Sequence, residues 1–221
     1  MSEVDIYRRS REALSDLLGQ VDEVLLSTMV PETPAWTVRD VLGHLVGGAE
    51  DHLQGNDEGA PGPEWTAAHV ARLSSETVAS LVERWGRVGA EIESHIAADP
   101  RAMTFTIHDV LCHEQDVRSA LSMPRRADDE ALVFQAGATW AVRRRCERDG
   151  LAVPEFVAGD DVVLEGSGGP TVRFPDRYEV GRALFGRRSE AQIRAYDWSA
   201  DPGPYVPLIS FFPFPETDLH G

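Results

Sequence analysis

The sequence predicts a mainly α fold: an N-terminal helical bundle over residues 1–150, followed by a small α+β domain over 151–221 that packs on it. Three observations carry this. Apolar residues recur at three-to-four spacing in successive segments of the first 150 residues. After Gly150 the texture changes to short β-branched runs separated by Gly, Asp and Pro. Helical spacing then returns before a Pro-rich tail.

The first helix is read from Leu14, Leu17, Leu18, Val21, Val24 and Leu25, within the stretch Ile6 to Leu26. Thr37, with Asp40 at the capping-box position, opens a second helix that runs to Gln54. The segment GNDEGAPGPE is a loop, and a third helix follows on Val78, Leu81, Val82, Trp85, Val88, Ile92 and Ile96. The fourth is IHDVLCHEQDVRSAL from Ile107, ending before Pro124. A fifth is expected from Asp128 to Asp149, with Arg143, Arg144 and Arg145 near its C-terminus and Gly150 as its stop. Beyond it, EFVAGDDVVLEGSGGPTVRFPDR predicts two or three short strands, with EGSGGP as a hairpin turn rather than a phosphate cradle. DRYEVGRALFGRRSEAQIRAYDW is helical with a break at Gly186, and Ser189 is expected to cap its second half. The tail PGPYVPLISFFPFPETDLHG is too rich in Pro for either regular element.

Composition narrows the function. A net charge of -16 disfavours a phosphate-tracking surface and an anionic membrane. No window approaches the roughly 18 apolar residues of a spanning helix, and MSEVDIYRRS carries no secretory core, so a cytoplasmic location is expected. Cys112 and Cys146 have no CxxC spacing and read as buried free thiols. All 21 basic residues are Arg, which excludes a lysine Schiff base and hints at a high-GC genome.

Each helical residue turns about 100° from the last. In the fourth helix this groups Ile107, Val110, Val117 and Leu121 as the buried stripe. Asp109, His113 and Asp116 fall on one flank, and His108 points toward water. In the second helix His44 lies at the edge of the stripe formed by Val38, Val41, Leu42, Leu45 and Ala49, beside Asp40, Gly47, Gly48 and Asp51. Flanks of two bundle helices can converge on one cavity, where His44, Asp109 and His113 would offer two imidazoles and a carboxylate, a set that suits zinc or ferrous iron. The same spacing also describes a satisfied boundary histidine beside a surface acid. Asp116 is either an ion-pair partner or a group that orients a ligand histidine. His52, His69, His95 and His220 lack a partner at ligand spacing and are expected in surface or capping roles. Arg187 and Arg188 could hold a substrate carboxylate or take a solvated or ion-paired surface role.

Three blocks, WTVRDVLGHLVG from Trp36, DVLCHEQDVRSAL from Asp109 and GRALFGRRSEAQIRAYDW from Gly181, together resemble the actinobacterial mycothiol-dependent maleylpyruvate isomerase-like family. Its N-terminal domain is similar to the DinB-like metal-binding four-helix bundles. The resemblance implies a divalent metal, usually zinc, on His44, Asp109 and His113, with Asp109 standing where the isomerase has Glu. It further implies mycothiol as thiol cosubstrate, whose metal-bound thiolate attacks a small electrophile, and Arg188 in the active site with Arg182 and Arg187 as neighbours. The outcome would be thiol transfer, as in detoxification, or isomerisation. A non-catalytic DinB-like metal-binding or stress-response protein and a metal-assisted hydrolase are the rival readings. Partners are expected to be small molecules, with no nucleic acid or membrane, and the protein a monomer or homodimer.

Overall fold

The computed structural model describes residues 2–126 and 129–221, which fall into two compact units, Met1–Arg125 and Arg126–Gly221. The first is all helical: α1 (Glu3–Gln20), a 3-10 turn (Glu23–Ser27), α2 (Val38–Gln54), α3 (Pro63–Leu73), α4 (Val78–Ala98) and α5 (Thr104–Ala120). The four long helices close a ring, α1 and α2 each packing against both α4 and α5, while α3 lies on α2. Fully buried Leu14, Leu42, Trp85, Ile92 and Ile107 fill the centre. Capping sets three of the starts, with Thr77 accepting from the Ser80 amide at α4. Ser2 with Asp5 and Thr37 with Asp40 form reciprocal capping boxes at α1 and α2, and α2 ends where Gly55 takes φ +71°, a left-handed conformation that glycine adopts without a Cβ clash.

Three expectations for this unit are corrected. Helix one stops at Gln20 rather than Leu26; Val21 is extended, and Val24 and Leu25, which prolonged the apolar spacing, are exposed. Helix α3 begins at Pro63, within the end of the expected loop, and continues through a stretch where the apolar spacing predicts no helix. Its buried positions are His69 and Leu73 alone, so a histidine occupies the place where an apolar residue would have signalled the face. His108 is buried, because α5 packs on both α1 and α2 and every residue from Ile107 to Val117 except Asp109 is covered. Burial lowers its pKa to about 4.

The second unit contains α6 (Asp129–Ala136), a 3-10 turn (Gly137–Thr139), α7 (Trp140–Arg148), β1 (Glu155–Ala158), β2 (Asp161–Leu164), β3 (Thr171–Phe174), α8 (Arg177–Leu184), α9 (Glu190–Arg194), β4 (Asp197–Trp198) and α10 (Val206–Ile209). Whereas the sequence places the boundary at Gly150, α6 and α7 group with the sheet. Gln135 of α6 packs so closely on α8 that a Cβ at Gly181 would meet its Oε1 at 2.9 Å. The Thr139 hydroxyl donates to the Val163 carbonyl of β2 at 3.1 Å. The expected single helix is thus two, parted by the 3-10 turn, and its start at Asp128 lies outside the described residues.

The sheet runs β2-β1-β3-β4, with β1 antiparallel to β2, parallel to β3, and β3 antiparallel to β4. The hairpin turn is therefore at Gly159, φ +60°. EGSGGP instead carries the chain across β1, where Gly169 lies so close to the Ala152 and Val153 carbonyls that a Cβ would sit 2.7 Å from each. Ser189 caps α9 with Gln192 as expected, and Gly186 takes φ +73° at the break. The chain leaves helical structure before Asp197, which pairs in β4, and the tail holds one short helix, α10. Among the described residues no helix is long and apolar enough to cross a membrane.

Candidate metal centre

Helices α2 and α5 are neighbours in the ring, and their facing flanks bring His44, Asp109 and His113 together, with one ligand atom from each lying within 4.8 Å of the others. Both imidazoles are buried, whereas the Asp109 side chain keeps 37% of its surface exposed, so the cluster opens to solvent on that side. His44 Nε2 is 3.2 Å from Asp109 Oδ2, and His113 Nε2 is 3.5 Å from Asp109 Oδ1. The i, i+4 relation of Asp109 and His113 puts them on adjacent turns of one helix face. Trp36 lies against both rings, its centroid 4.8 Å from that of His44 and 6.0 Å from that of His113.

Each histidine turns its other nitrogen to protein. His113 Nδ1 is 3.0 Å from Asp116 Oδ2, the carboxylate read from the sequence as either a pair partner or an orienting group. His44 Nδ1 is 3.3 Å from Nδ1 of His69, whose Nε2 is 3.0 Å from Asp51 Oδ2. Arg72 holds the other Asp51 oxygen, Nη2 to Oδ1, at 3.1 Å. His69 is thus a residue that sequence spacing misses, and its expected surface role is wrong: it is fully buried. Burial, and then the neighbouring His44, lower its pKa against the pull of Asp51. A signal for it does exist in the sequence. His44, Gly47, Gly48 and Asp51 share one face of α2, and two glycines between polar groups mark a groove that receives another side chain. A Cβ at Gly47 would meet His69 Cβ at 2.7 Å.

The donor chemistry fits a divalent cation. Two imidazoles presenting Nε2 and one carboxylate are a common ligand set for zinc or ferrous iron, ions that take further ligands beyond three. His44 has on Nδ1 the partner that metal-ligating imidazoles regularly have, whereas Asp116 lies 3.0 Å from His113 Nδ1 without hydrogen-bond alignment.

The arginines belong to the second unit. Arg188 is buried and clamped by Glu179, Nε to Oε2 at 2.8 Å and Nη2 to Oε1 at 2.6 Å, and the Tyr196 hydroxyl donates to Glu179 Oε2 at 2.9 Å. Burial opposes both charges, yet the pair prevails. Glu179 is held below its ordinary pKa of 4.5 by Arg188 and Tyr196, and Arg188 is raised by Glu179. Arg187 donates to the Phe185 carbonyl at 2.6 Å, and Arg182 lies 5.7 Å over the Tyr178 ring. Arg187 and Arg188 are buried rather than solvated, and Arg188 is ion-paired with Glu179.

Compared with known families, residues 7–118 match the model described as the mycothiol maleylpyruvate isomerase N-terminal domain. That span begins in α1 and ends in α5, so it holds all three members of the cluster together with His69 and Asp51. No curated protein and no solved structure matches the chain.

Proposed function

Because the chain belongs to the mycothiol maleylpyruvate isomerase N-terminal domain family, we propose that its first unit binds a divalent cation, zinc by preference, through His44, Asp109 and His113. The protein would then act on a small thiol, mycothiol, and an electrophilic substrate, as an S-transferase or an isomerase. One observation carries this reading: two imidazole Nε2 atoms and a carboxylate converge at a solvent-facing edge of a helix core. When bound, the cation would depress the pKa of a thiol and so supply a thiolate at neutral pH without a protein nucleophile. The chain's own residues position the parts. The buried histidines fix two directions of approach, Trp36 walls one side, and the half-exposed Asp109 marks the side from which a small molecule enters.

Substrate binding by Arg188 is a separate proposal. Its guanidinium is held by Glu179, so a substrate carboxylate would have to take the place of that partner. An Arg188→Gln variant that raises KM and leaves kcat unchanged would support the assignment.

The test is the metal content of the purified full chain, followed by thiol consumption with a panel of small electrophiles. The expected result is one equivalent of metal, lost in His44→Ala, and metal-dependent thiol consumption. Metal without consumption would favour a binding module, and unchanged stoichiometry in His44→Ala would defeat the site.

A further inference from the structure

We infer that His69, backed by Asp51, is a positioning residue that fixes the proton of His44 on Nδ1 and so keeps Nε2 as a lone pair aimed at Asp109. The inference rests on the metal reading for its purpose but not for its geometry.

A neutral imidazole carries one donor and one acceptor, and the partner of one nitrogen decides the role of the other. Asp51 is the fixed end of the chain, because Arg72 pairs with its Oδ1 and also donates to the Gly47 carbonyl, 3.2 Å away. An ionised carboxylate only accepts, so the His69 nitrogen facing it, Nε2, must donate. His69 Nδ1 is then an acceptor, and the nitrogen that meets it, His44 Nδ1, must be the donor. This leaves the lone pair of His44 on Nε2, the atom 3.2 Å from Asp109. Were the His44 proton on Nε2, two nitrogen lone pairs would face each other at 3.3 Å in a buried setting.

Packing holds the relay in register. His69 is fully buried, with the Trp65 ring edge-on at 4.1 Å on one side and the surface of Gly47 and Gly48 on the other. Helix α3 thus has a role beyond covering α2: of its residues, His69 is the one that reaches the cluster. The two halves of the centre are built differently. His113 is backed by Asp116 of its own helix, one turn on, whereas His44 depends on a residue from another element.

The experiment is a long-range proton–nitrogen NMR spectrum of the histidine rings in the full chain without metal, followed by titration with cobalt(II) alone. Wild-type His44 is expected to show its proton on Nδ1. His69→Phe keeps the ring volume and removes the acceptor; it is expected to lose that tautomer and bind cobalt about 10- to 100-fold more weakly. His69→Gln can accept from His44 through Oε1 and donate to Asp51 through Nε2, and it is expected to recover most of both. Wild-type His44 protonated on Nε2 overturns the inference even if no variant folds, and so does a His69→Phe protein with unchanged tautomer and affinity. Failure of the wild type to take up cobalt, with its His44 proton on Nδ1, leaves the positioning role standing and defeats the metal reading instead.

Discussion

Each unit buries a polar cluster, and the two are balanced in opposite ways. In the second, Glu179 receives two bonds from Arg188 and one from Tyr196, so donors meet acceptors and charge meets charge. In the first, two imidazole Nε2 atoms are turned toward a carboxylate, and their Nδ1 atoms are turned to other partners. A matched cluster stabilises the state that contains it, whereas converging ligand atoms are completed by a cation. Burial of polar groups alone therefore does not mark a metal site; the balance of donors and acceptors does.

The largest effect expected from this difference is on adding metal. A cation bound only by the folded first unit stabilises it by about 4 kcal/mol at a thousandfold excess over Kd. Hydrogen exchange should slow at the amides of α2 and α5 on adding zinc, return with a chelator, and stay unchanged around Glu179 and Arg188. Equal slowing in both regions would break the comparison.

The matched pair is tested by removing one partner. Glu179→Ala leaves the buried Arg188 charge uncompensated and should cost about 3 kcal/mol in the second unit, read by denaturant unfolding. The pH dependence has a definite sign. Because the folded pKa of Glu179 lies below its ordinary 4.5, its contribution is complete above that value and is lost as pH falls through the folded pKa. Wild type should lose stability on acidification below 4.5, and Glu179→Gln should lose less over the same window.

The same contrast explains what was legible in the sequence. The trio His44, Asp109 and His113 could be assembled because α2 and α5 are regular helices whose apolar stripes locate their flanks, and Thr37 and Ser189 were legible because capping is local. His69 was not, since its helix buries almost nothing apolar and its partners come from another element. His108 was misplaced because a single stripe cannot describe a helix covered on nearly all sides. The grouping of α6 and α7 with the sheet was hidden for a related reason: contacts such as Gln135 with Gly181 join residues distant in sequence that have no periodic mark.

Gly47→Ala sharpens the comparison from inside the first unit. The added methyl would meet His69 Cβ at 2.7 Å and its Cα at 3.2 Å, so α3 must shift. The expected cost is about 2 kcal/mol of stability, with weaker cobalt binding although no ligand is changed. Loss of stability with full affinity would mean that His44 holds its position without His69.

The smallest effect separates the site from the fold that carries it. Thr37 and Asp40 close the first turn of α2, the hydroxyl accepting from the Asp40 amide at 3.2 Å while the Asp40 carboxylate accepts from the Thr37 amide at 2.9 Å. Thr37→Ala should cost about 1 kcal/mol. His44 lies beyond that turn, and its Nδ1 is set by His69 rather than by the cap, so cobalt affinity should stay within about twofold, a shift of about 0.4 kcal/mol. If affinity instead falls in step with stability, the position of His44 is governed by the start of α2, and the relay through α3 is not what distinguishes this cluster from the matched pair in the other unit.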